Sequence, residues 1–199
     1  LVNFWEIPAN DKTAMNGRWE PVPSQDFFNA LIKRFPDFPF IAEDLGFITP
    51  DVIEVMENFK LPGMKVLIFA FGEDDPMHPY LPHTYPKNCV AYTGTHDNNT
   101  LMGWFKKEAD TEQKQRLFRY LYREAPVERL HWEMIRLLMM SVADTVIVPM
   151  QDILGLGEEA RMNQPAMASG NWSWRLLPDQ ITPTIVNRLR ILAETYGRA

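Results

Sequence analysis

Two apolar runs in this sequence end in carboxylic acids, residue types that can exchange protons with a substrate. FIAED occupies residues 40–44, and VAYTGTHD occupies residues 90–97. A carboxyl group at the end of a buried strand can act as an acid or a base when its surroundings shift its pKa. The alternative for such acids is a solvated turn or a helix cap. Glu43 and Asp97 are therefore candidate catalytic residues.

The runs that carry these acids resemble buried parallel strands, because they are apolar without alternation. The interval between Glu43 and Asp97 is close to two units of a (β/α)8 barrel, which uses roughly 250 residues for eight units. A third run, GMKVLIFAF at residues 63–71, lies between them and ends beside acidic residues 73–75. Barrel active sites form at the carboxyl ends of strands, so we expect these three acidic ends to line one cleft.

Helical patterns separate the predicted strands. The predicted strands are residues 40–42, 64–71, 90–92 and 143–148, after a strand end and irregular loop over residues 1–19. The predicted helices begin near Ser24, Thr49, Thr100, Thr111, Val127 and Thr182, most of them opened by a capping residue or a proline. This alternation of strand and helix predicts an α/β fold with a parallel sheet.

Composition narrows the possible partners and location. The chain has 199 residues, 46% hydrophobic content and a net charge of −6 without basic clusters, which argues against nucleic acid or an anionic membrane as partner. The single cysteine, Cys89, excludes an internal disulfide and is expected to pack in the core. No signal peptide or apolar run of 18 residues is evident. We therefore expect one cytoplasmic domain over residues 1–199.

Six strings give the sequence a family resemblance. IAEDLGFITPDV, GMKVLIFAF, YTGTHDNNT, QDILGLGEEARMN, WEIPANDKTAMNGRW and GNWSWR resemble segments of the 4-alpha-glucanotransferases, also called amylomaltases or disproportionating enzymes. The likeness implies a (β/α)8 (TIM) barrel that transfers α-1,4-glucan segments between maltodextrin or starch chains. It implies a retaining double displacement without metal or organic cofactor. The strand order would match strands five to eight, roughly the second half of the barrel.

The resemblance also implies roles for individual residues. Glu43 matches the family's general acid/base, and Asp97 matches its transition-state-stabilising carboxylate. His96 and Asn98 would contact sugar hydroxyls beside Asp97, and Asn163 would contact the same sugar. Retaining transfer needs two carboxyl groups about 5–5.5 Å apart, one of them protonated to release the leaving sugar.

Other residues in these strings have a structural alternative. Trp5 is expected either to stack on the apolar face of a sugar or to pack its loop onto the barrel rim. Trp172 and Trp174 alternate as along a strand, and packing against the rim is favoured for them. Asp152 and Arg161 are expected to brace their loop.

The family's nucleophile is an aspartate in an Arg-Ile-Asp-His-type strand upstream of the stretch that this chain carries at residues 5–8. That position would precede Leu1. The expectation is that these 199 residues lack the nucleophile, are inactive alone and need the N-terminal half of the barrel as partner. Unpaired strand edges would also favour self-association of such a fragment.

Two other functions stay open at this stage. One is a half-barrel that binds maltodextrin without turnover. The other is a metal-dependent hydrolase that uses His96 and Asp97 as ligands and that a chelator would inactivate. The remaining histidines show no ligand spacing along a helix, which makes this second function the less favoured.

Overall fold

The computed structural model describes residues 2–198, and Leu1 and Ala199 lie outside the described residues. The chain forms two compact units, Leu1–Met64 and Lys65–Ala199. Within the described residues, no helix is long and apolar enough to cross a membrane.

The first unit opens with an antiparallel hairpin of β1 (Asn3–Glu6) and β2 (Arg18–Pro21). A short 3-10 helix, Ala14–Asn16, lies in the connection. The sequence pattern predicted an irregular loop here, and strand β2 was missed. Its pairing depends on cross-strand contacts that no period in the sequence reveals: Trp5 meets Trp19 edge to face at 5.2 Å between ring centroids.

Two helices follow the hairpin, α1 (Ser24–Arg34) and α2 (Pro50–Asn58). Helix α2 begins as predicted, with Thr49 at the N-cap and proline in the first turn. Helix α1 begins one residue earlier than predicted, since Pro23 and not Ser24 occupies the N-cap. Phe28, Val55 and Leu61 form the buried core of this unit.

The predicted strand at residues 40–42 is wrong. This segment has no regular structure, although Phe40 and Ala42 pack against the core of the first unit. Ala42 N donates to Pro62 O at 2.9 Å, whereas Phe40 N donates only locally, to Phe38 O at 2.8 Å. A strand needs a ladder of such bonds along a neighbour, and the described residues supply none here.

A three-stranded sheet, β3-β4-β5, is the framework of the second unit. Its strands are β3 (Gly63–Val66), which begins with the last residues of the first unit, β4 (Cys89–Tyr92) and β5 (Thr145–Ile147). Strands β4 and β5 are parallel, as predicted, with Ala91 opposite Val146. The strand predicted through residue 71 is too long, because Leu67–Phe71 turns into a buried 3-10 helix.

The second unit also contains helices. They are α3 (Leu101–Gly103), continued by a π-helix at Trp104–Glu108, α4 (Thr111–Leu121), α5 (Leu130–Met139), α6 (Met150–Ile153) and α7 (Pro183–Thr195). Short 3-10 helices lie at Pro82–Thr84, Val127–Arg129, Glu158–Ala160 and Pro178–Gln180. Thr100 and Thr182 cap α3 and α7 as predicted, whereas Asp110, not Thr111, caps α4 through a capping box with Gln113. Cys89 is buried, as expected.

Candidate active site

The loop of residues 94–100 follows strand β4 and carries most of the predicted site. Its turn is closed by Asn98, whose Oδ1 accepts hydrogen bonds from Thr95 N at 2.8 Å and Thr95 Oγ1 at 2.9 Å. Asn98 therefore shapes the loop with its amide oxygen, and its predicted contact with substrate is untested.

Three predicted residues of the second unit meet at the tip of this loop. Asn163 Nδ2 donates to Asp97 Oδ1 at 2.5 Å, and His96 Nε2 lies 3.3 Å from the same oxygen. Asp97 and His96 are each about half exposed, at 48% and 51% of their side-chain surface. The structure thus brings Asp97, His96 and Asn163 together at a surface that a ligand can reach.

Trp172 extends this cluster. Its ring lies 5.1 Å from the His96 ring between centroids, with 37° between the planes, and is 53% exposed. The strand-like alternation predicted around it is wrong: Trp172 has a φ of +60° and sits in a turn, tied by its N–H to Met162 O at 2.7 Å. A left-handed residue cannot continue a strand, and this turn is what places the ring beside His96.

Arg161 braces the tip, as predicted. Its guanidinium donates to Asp97 O at 2.8 Å and to Asn163 O at 2.9 Å, and it lies 3.5 Å from Glu108 Oε1. Asn163 N also donates to His96 O at 3.1 Å. The backbone of the loop tip is therefore fastened to the segment of residues 161–163 at two successive carbonyls.

Asp152 braces the base of the same loop. The carboxylate is 1% exposed and accepts from Thr93 Oγ1 at 2.5 Å and from Leu101 N at 2.7 Å. Burial raises the pKa of Asp152 to about 6, and the two hydrogen bonds oppose that rise. The sequence suggested a bracing residue here but did not reveal Thr93 as its partner. The only signal was a hydroxyl directly after an apolar strand.

A cavity of about 170 Å³ opens between these elements, lined by loop residues and by Asp152, Arg161, Met162 and Trp172. Whole sites for small ligands usually occupy roughly 300–1,000 Å³. The cavity is therefore suited to hold one part of a longer ligand.

Glu43 belongs to the first unit. Phe40 and Ala42 face the core of that unit, while Ile41 and Glu43 are exposed, so side chains alternate as along an extended chain. The burial expected around Glu43 is absent. Its neighbour Asp44 is structural, as predicted, because its Oδ1 accepts from Met64 N at 2.5 Å.

Trp5 also lies in the first unit, where it packs within the hairpin. Its Nε1 donates to Ala14 O at 2.9 Å and its ring meets Trp19. A Cβ at position 17 would collide with the indole, so Gly17 is required for this approach. Its contact with a sugar stays a prediction.

The acids at residues 73–75 do not line the cavity beside His96, which corrects the expectation of one shared cleft. They line a separate cavity of about 530 Å³ with His83, Arg116 and Tyr120, and Asp74 forms an ion pair with Arg119. The 3-10 helix at Leu67–Phe71 explains the difference, since it ends the strand before these acids.

The described residues contain no group of three or more His, Cys, Asp or Glu side chains arranged to hold a metal ion. The hypothesis of a metal-dependent hydrolase therefore has no ligand set to support it in residues 2–198.

Comparison with known proteins adds a separate observation to this geometry. A family model described as 4-alpha-glucanotransferase matches residues 1–181. The chain belongs to this 4-alpha-glucanotransferase family. The resemblance seen in the six sequence strings is thereby confirmed.

Relatives in the 4-alpha-glucanotransferase family align with almost the whole chain. The 4-alpha-glucanotransferase of Synechocystis sp. is 48% identical over 198 residues, which are 98% of this chain and 39% of that protein. The enzyme of the same name from Thermus thermophilus is 46% identical over 203 residues, covering 98% of this chain and 40% of that protein. The chain thus spans about two fifths of the length of these relatives.

Solved structures support the fold class. Amylomaltase from Streptococcus agalactiae in complex with acarbose superposes with a TM-score of 0.91 at 34% identity, over 100% of this chain and 40% of that one. Amylomaltase from Corynebacterium glutamicum matches with a TM-score of 0.69 at 15% identity, over 100% of this chain and 34% of that one, which bears on the fold alone. Within the 4-alpha-glucanotransferase family, the chain shares its architecture with enzymes of the TIM-barrel class.

Proposed function

We propose that these residues are part of an enzyme that transfers α-1,4-glucan segments between maltodextrin or starch chains by a retaining double displacement. The observation that carries the proposal is the cluster at the 94–100 loop, where Asp97 is held between Asn163 and His96 beside an exposed Trp172. Membership of the 4-alpha-glucanotransferase family supports it.

Asp97 is the proposed transition-state-stabilising carboxylate. Its Oδ1 accepts a hydrogen bond from Asn163 Nδ2 and lies close to His96 Nε2. Its Oδ2 is therefore the oxygen available for sugar hydroxyls. A carboxylate bound to the 2- and 3-hydroxyls gains strength as positive charge develops on the sugar. His96 is the donor for a neighbouring hydroxyl, and Trp172 offers an apolar surface at the rim.

Glu43 is the proposed general acid and base. It first protonates the glycosidic oxygen of the leaving chain and then removes the proton from the attacking hydroxyl of the acceptor. Its exposure in the first unit is unfavourable for an acid that must be protonated near neutral pH. We therefore propose that further protein or the bound glucan covers Glu43 in the active enzyme.

We propose that the nucleophile is an aspartate upstream of residues 5–8, as the family resemblance implies. We propose that this chain supplies strands five to eight of the barrel, and that turnover requires the half that carries the nucleophile. The two carboxyl groups would then stand about 5–5.5 Å apart, the separation of retaining enzymes.

The test is incubation with maltotriose and detection of glucose and longer maltodextrins. The intact protein that contains these residues should produce both, and the 199-residue chain alone should produce neither until the upstream half is added. Glu43→Gln in the intact protein should abolish transfer, whereas Asp75→Asn, at an exposed acid of the other cavity, should retain it. Absence of transfer by the intact protein would refute the proposed activity. Transfer by the isolated chain that Glu43→Gln abolishes would place the nucleophile within these 199 residues.

We also propose that the isolated chain associates with the other half of the barrel or with a second copy. Strands β3 and β5 flank the sheet of the described residues, and such edges favour pairing with another chain. Light scattering on the 199-residue chain should reveal association. A folded monomer that persists on dilution would contradict this proposal.

A further inference from the structure

We propose that Asp152 is a positioning residue for glucan transfer, because its two carboxylate oxygens hold the two ends of the 94–100 loop. Thr93, directly before the loop, donates to Oδ2, and Leu101, directly after it, donates to Oδ1. One side chain of helix α6 thus closes the loop that carries His96 and Asp97. This inference rests on the proposed function.

The three residues of this closure are buried. Asp152 and Leu101 are each 1% exposed, and Thr93 is fully buried. Removal of the carboxylate deprives two buried donors of their acceptor, and an unsatisfied buried donor costs about 1–3 kcal/mol. The loop would have to shift to satisfy them.

Burial raises the pKa of Asp152 because it disfavours the charged carboxylate, and the two hydrogen bonds offset part of that cost. An apolar side chain at this position would avoid the cost but would leave Leu101 N–H and the Thr93 hydroxyl unpaired. The carboxylate matches both donors, since each of its oxygens accepts one of them.

The base and the tip of the loop are fastened to the same stretch of chain. Asp152 holds the base, while Arg161 and Asn163 hold the carbonyls of Asp97 and His96. The parallel pairing of β4 with β5 sets the register between loop and stretch. A change at Asp152 therefore acts on the orientation of Asp97 through the backbone of the loop.

The first experiment measures transfer from maltotriose by variants of the intact protein. Asp152→Ala should lower kcat roughly 100-fold, the effect of a displacement of about 1 Å in a catalytic group. Thr93→Val, which removes one of the two bonds, should lower kcat roughly tenfold. Asp152→Asn retains an acceptor for Leu101 and a donor for Thr93, so it should keep a kcat close to that of the parent.

A matched control separates positioning from loss of stability. Met134 lies in helix α5 and is fully buried, so Met134→Ala opens a cavity in the core beside this helix. This variant should retain kcat at temperatures where the protein is folded. Exchange of the Leu101 amide hydrogen should accelerate in Asp152→Ala and stay slow in Met134→Ala.

Two results would overturn the inference. One is a parent-like kcat in both Asp152→Ala and Thr93→Val. The other is an equal loss of kcat in Met134→Ala and Asp152→Ala at equal folded fraction. If Asp152→Ala fails to fold, Thr93→Val and Asp152→Asn still decide the question. Failure of the proposed function is distinct, because the unmodified intact protein would then transfer no glucan while the exchange of Leu101 still reports the closure.

Discussion

The two segments that carry the proposed catalytic carboxylates are built differently. The 94–100 loop is closed internally by Asn98, fastened at its base by Asp152 and held at its tip by Arg161 and Asn163. The segment around Glu43 has one backbone bond from Ala42 and one side-chain bond at Asp44. Within the described residues, several groups thus orient Asp97, whereas Glu43 is exposed and little constrained by its own unit.

This difference indicates which groups orient each proposed catalytic side chain. A catalytic side chain is positioned when neighbouring groups hold its rotamer and backbone. The second unit meets that condition for Asp97 with its own residues. For Glu43 we propose that the remainder of the enzyme must supply the missing contacts, and each measurement below tests one side of this contrast.

Among the variants that test this contrast, Asn163→Asp is expected to have the largest effect. It places a second carboxylate where Nδ2 now lies 2.5 Å from Asp97 Oδ1, so repulsion replaces a hydrogen bond. We expect kcat for maltotriose transfer by the intact protein to fall more than about 100-fold, with partial recovery at lower pH as the pair takes up a proton. Gln164→Glu adds the same charge one residue away and should have little effect. Unchanged activity in Asn163→Asp would show that the contact does not orient Asp97.

The buried acid beneath the loop predicts a pH-dependent stability. The folded-state pKa of Asp152 is raised from 3.8 to about 6, so its contribution is fully present below pH 3.8 and is lost as pH rises through 6. Asp152→Asn should therefore gain stability relative to the parent between pH 4 and 6, by no more than about 3 kcal/mol. Urea unfolding of both proteins across this range measures the difference.

His131 provides a control, because its contribution to stability changes with pH in the opposite direction. Burial, aided by the charge of Arg188, lowers its folded-state pKa from 6.5 to about 4. Its contribution is present above pH 6.5 and is lost as pH falls through 4. His131→Gln should reduce the acid sensitivity of the protein, and a difference curve with the same sign for both variants would contradict these assignments.

Asp44→Ala tests the weaker support of the first unit. The change removes the acceptor of Met64 N and leaves a partly buried donor unpaired. We expect a loss of about 1–3 kcal/mol in the free energy of unfolding. Asp37→Ala, at an exposed acid of the same unit, should change it little. Equal unfolding midpoints in urea for both variants would mean that Asp44 does not hold the Glu43 segment.

The smallest effect separates the two candidate tryptophans. Trp172 lies beside His96, whereas Trp5 is pinned within its hairpin. Trp172→Ala should weaken maltotriose binding by about 0.5–1.5 kcal/mol, the contribution typical of an aromatic contact. Trp5→Ala should mainly lower stability. Calorimetric titration with maltotriose, in a Glu43→Gln background that prevents transfer, distinguishes them, and the reverse pattern would assign the sugar contact to Trp5.

The sequence predicted local features best where the determinant lies within a few residues. Thr182 caps its helix, Pro50 opens α2, and β4 runs along an apolar stretch bounded by polar residues. Prediction from the sequence failed where secondary structure depends on pairing with a distant segment. Residues 40–42 have strand composition but lack a neighbouring ladder. The run 63–71 is uniformly apolar, and such a run is buried equally well as a strand or as a short helix.

For the candidate site, the sequence by itself determined the family, through strings whose order and content match the 4-alpha-glucanotransferases. The resemblance in sequence also predicted Asp97, His96 and Asn163 as site residues. Only the tertiary structure decided that these three meet, that Trp172 joins them from a left-handed turn, and that Asp152 closes the loop through Thr93 and Leu101. The physical reason is that hydrogen bonds between residues far apart in sequence depend on the register of β4 with β5, and local composition carries no record of that register.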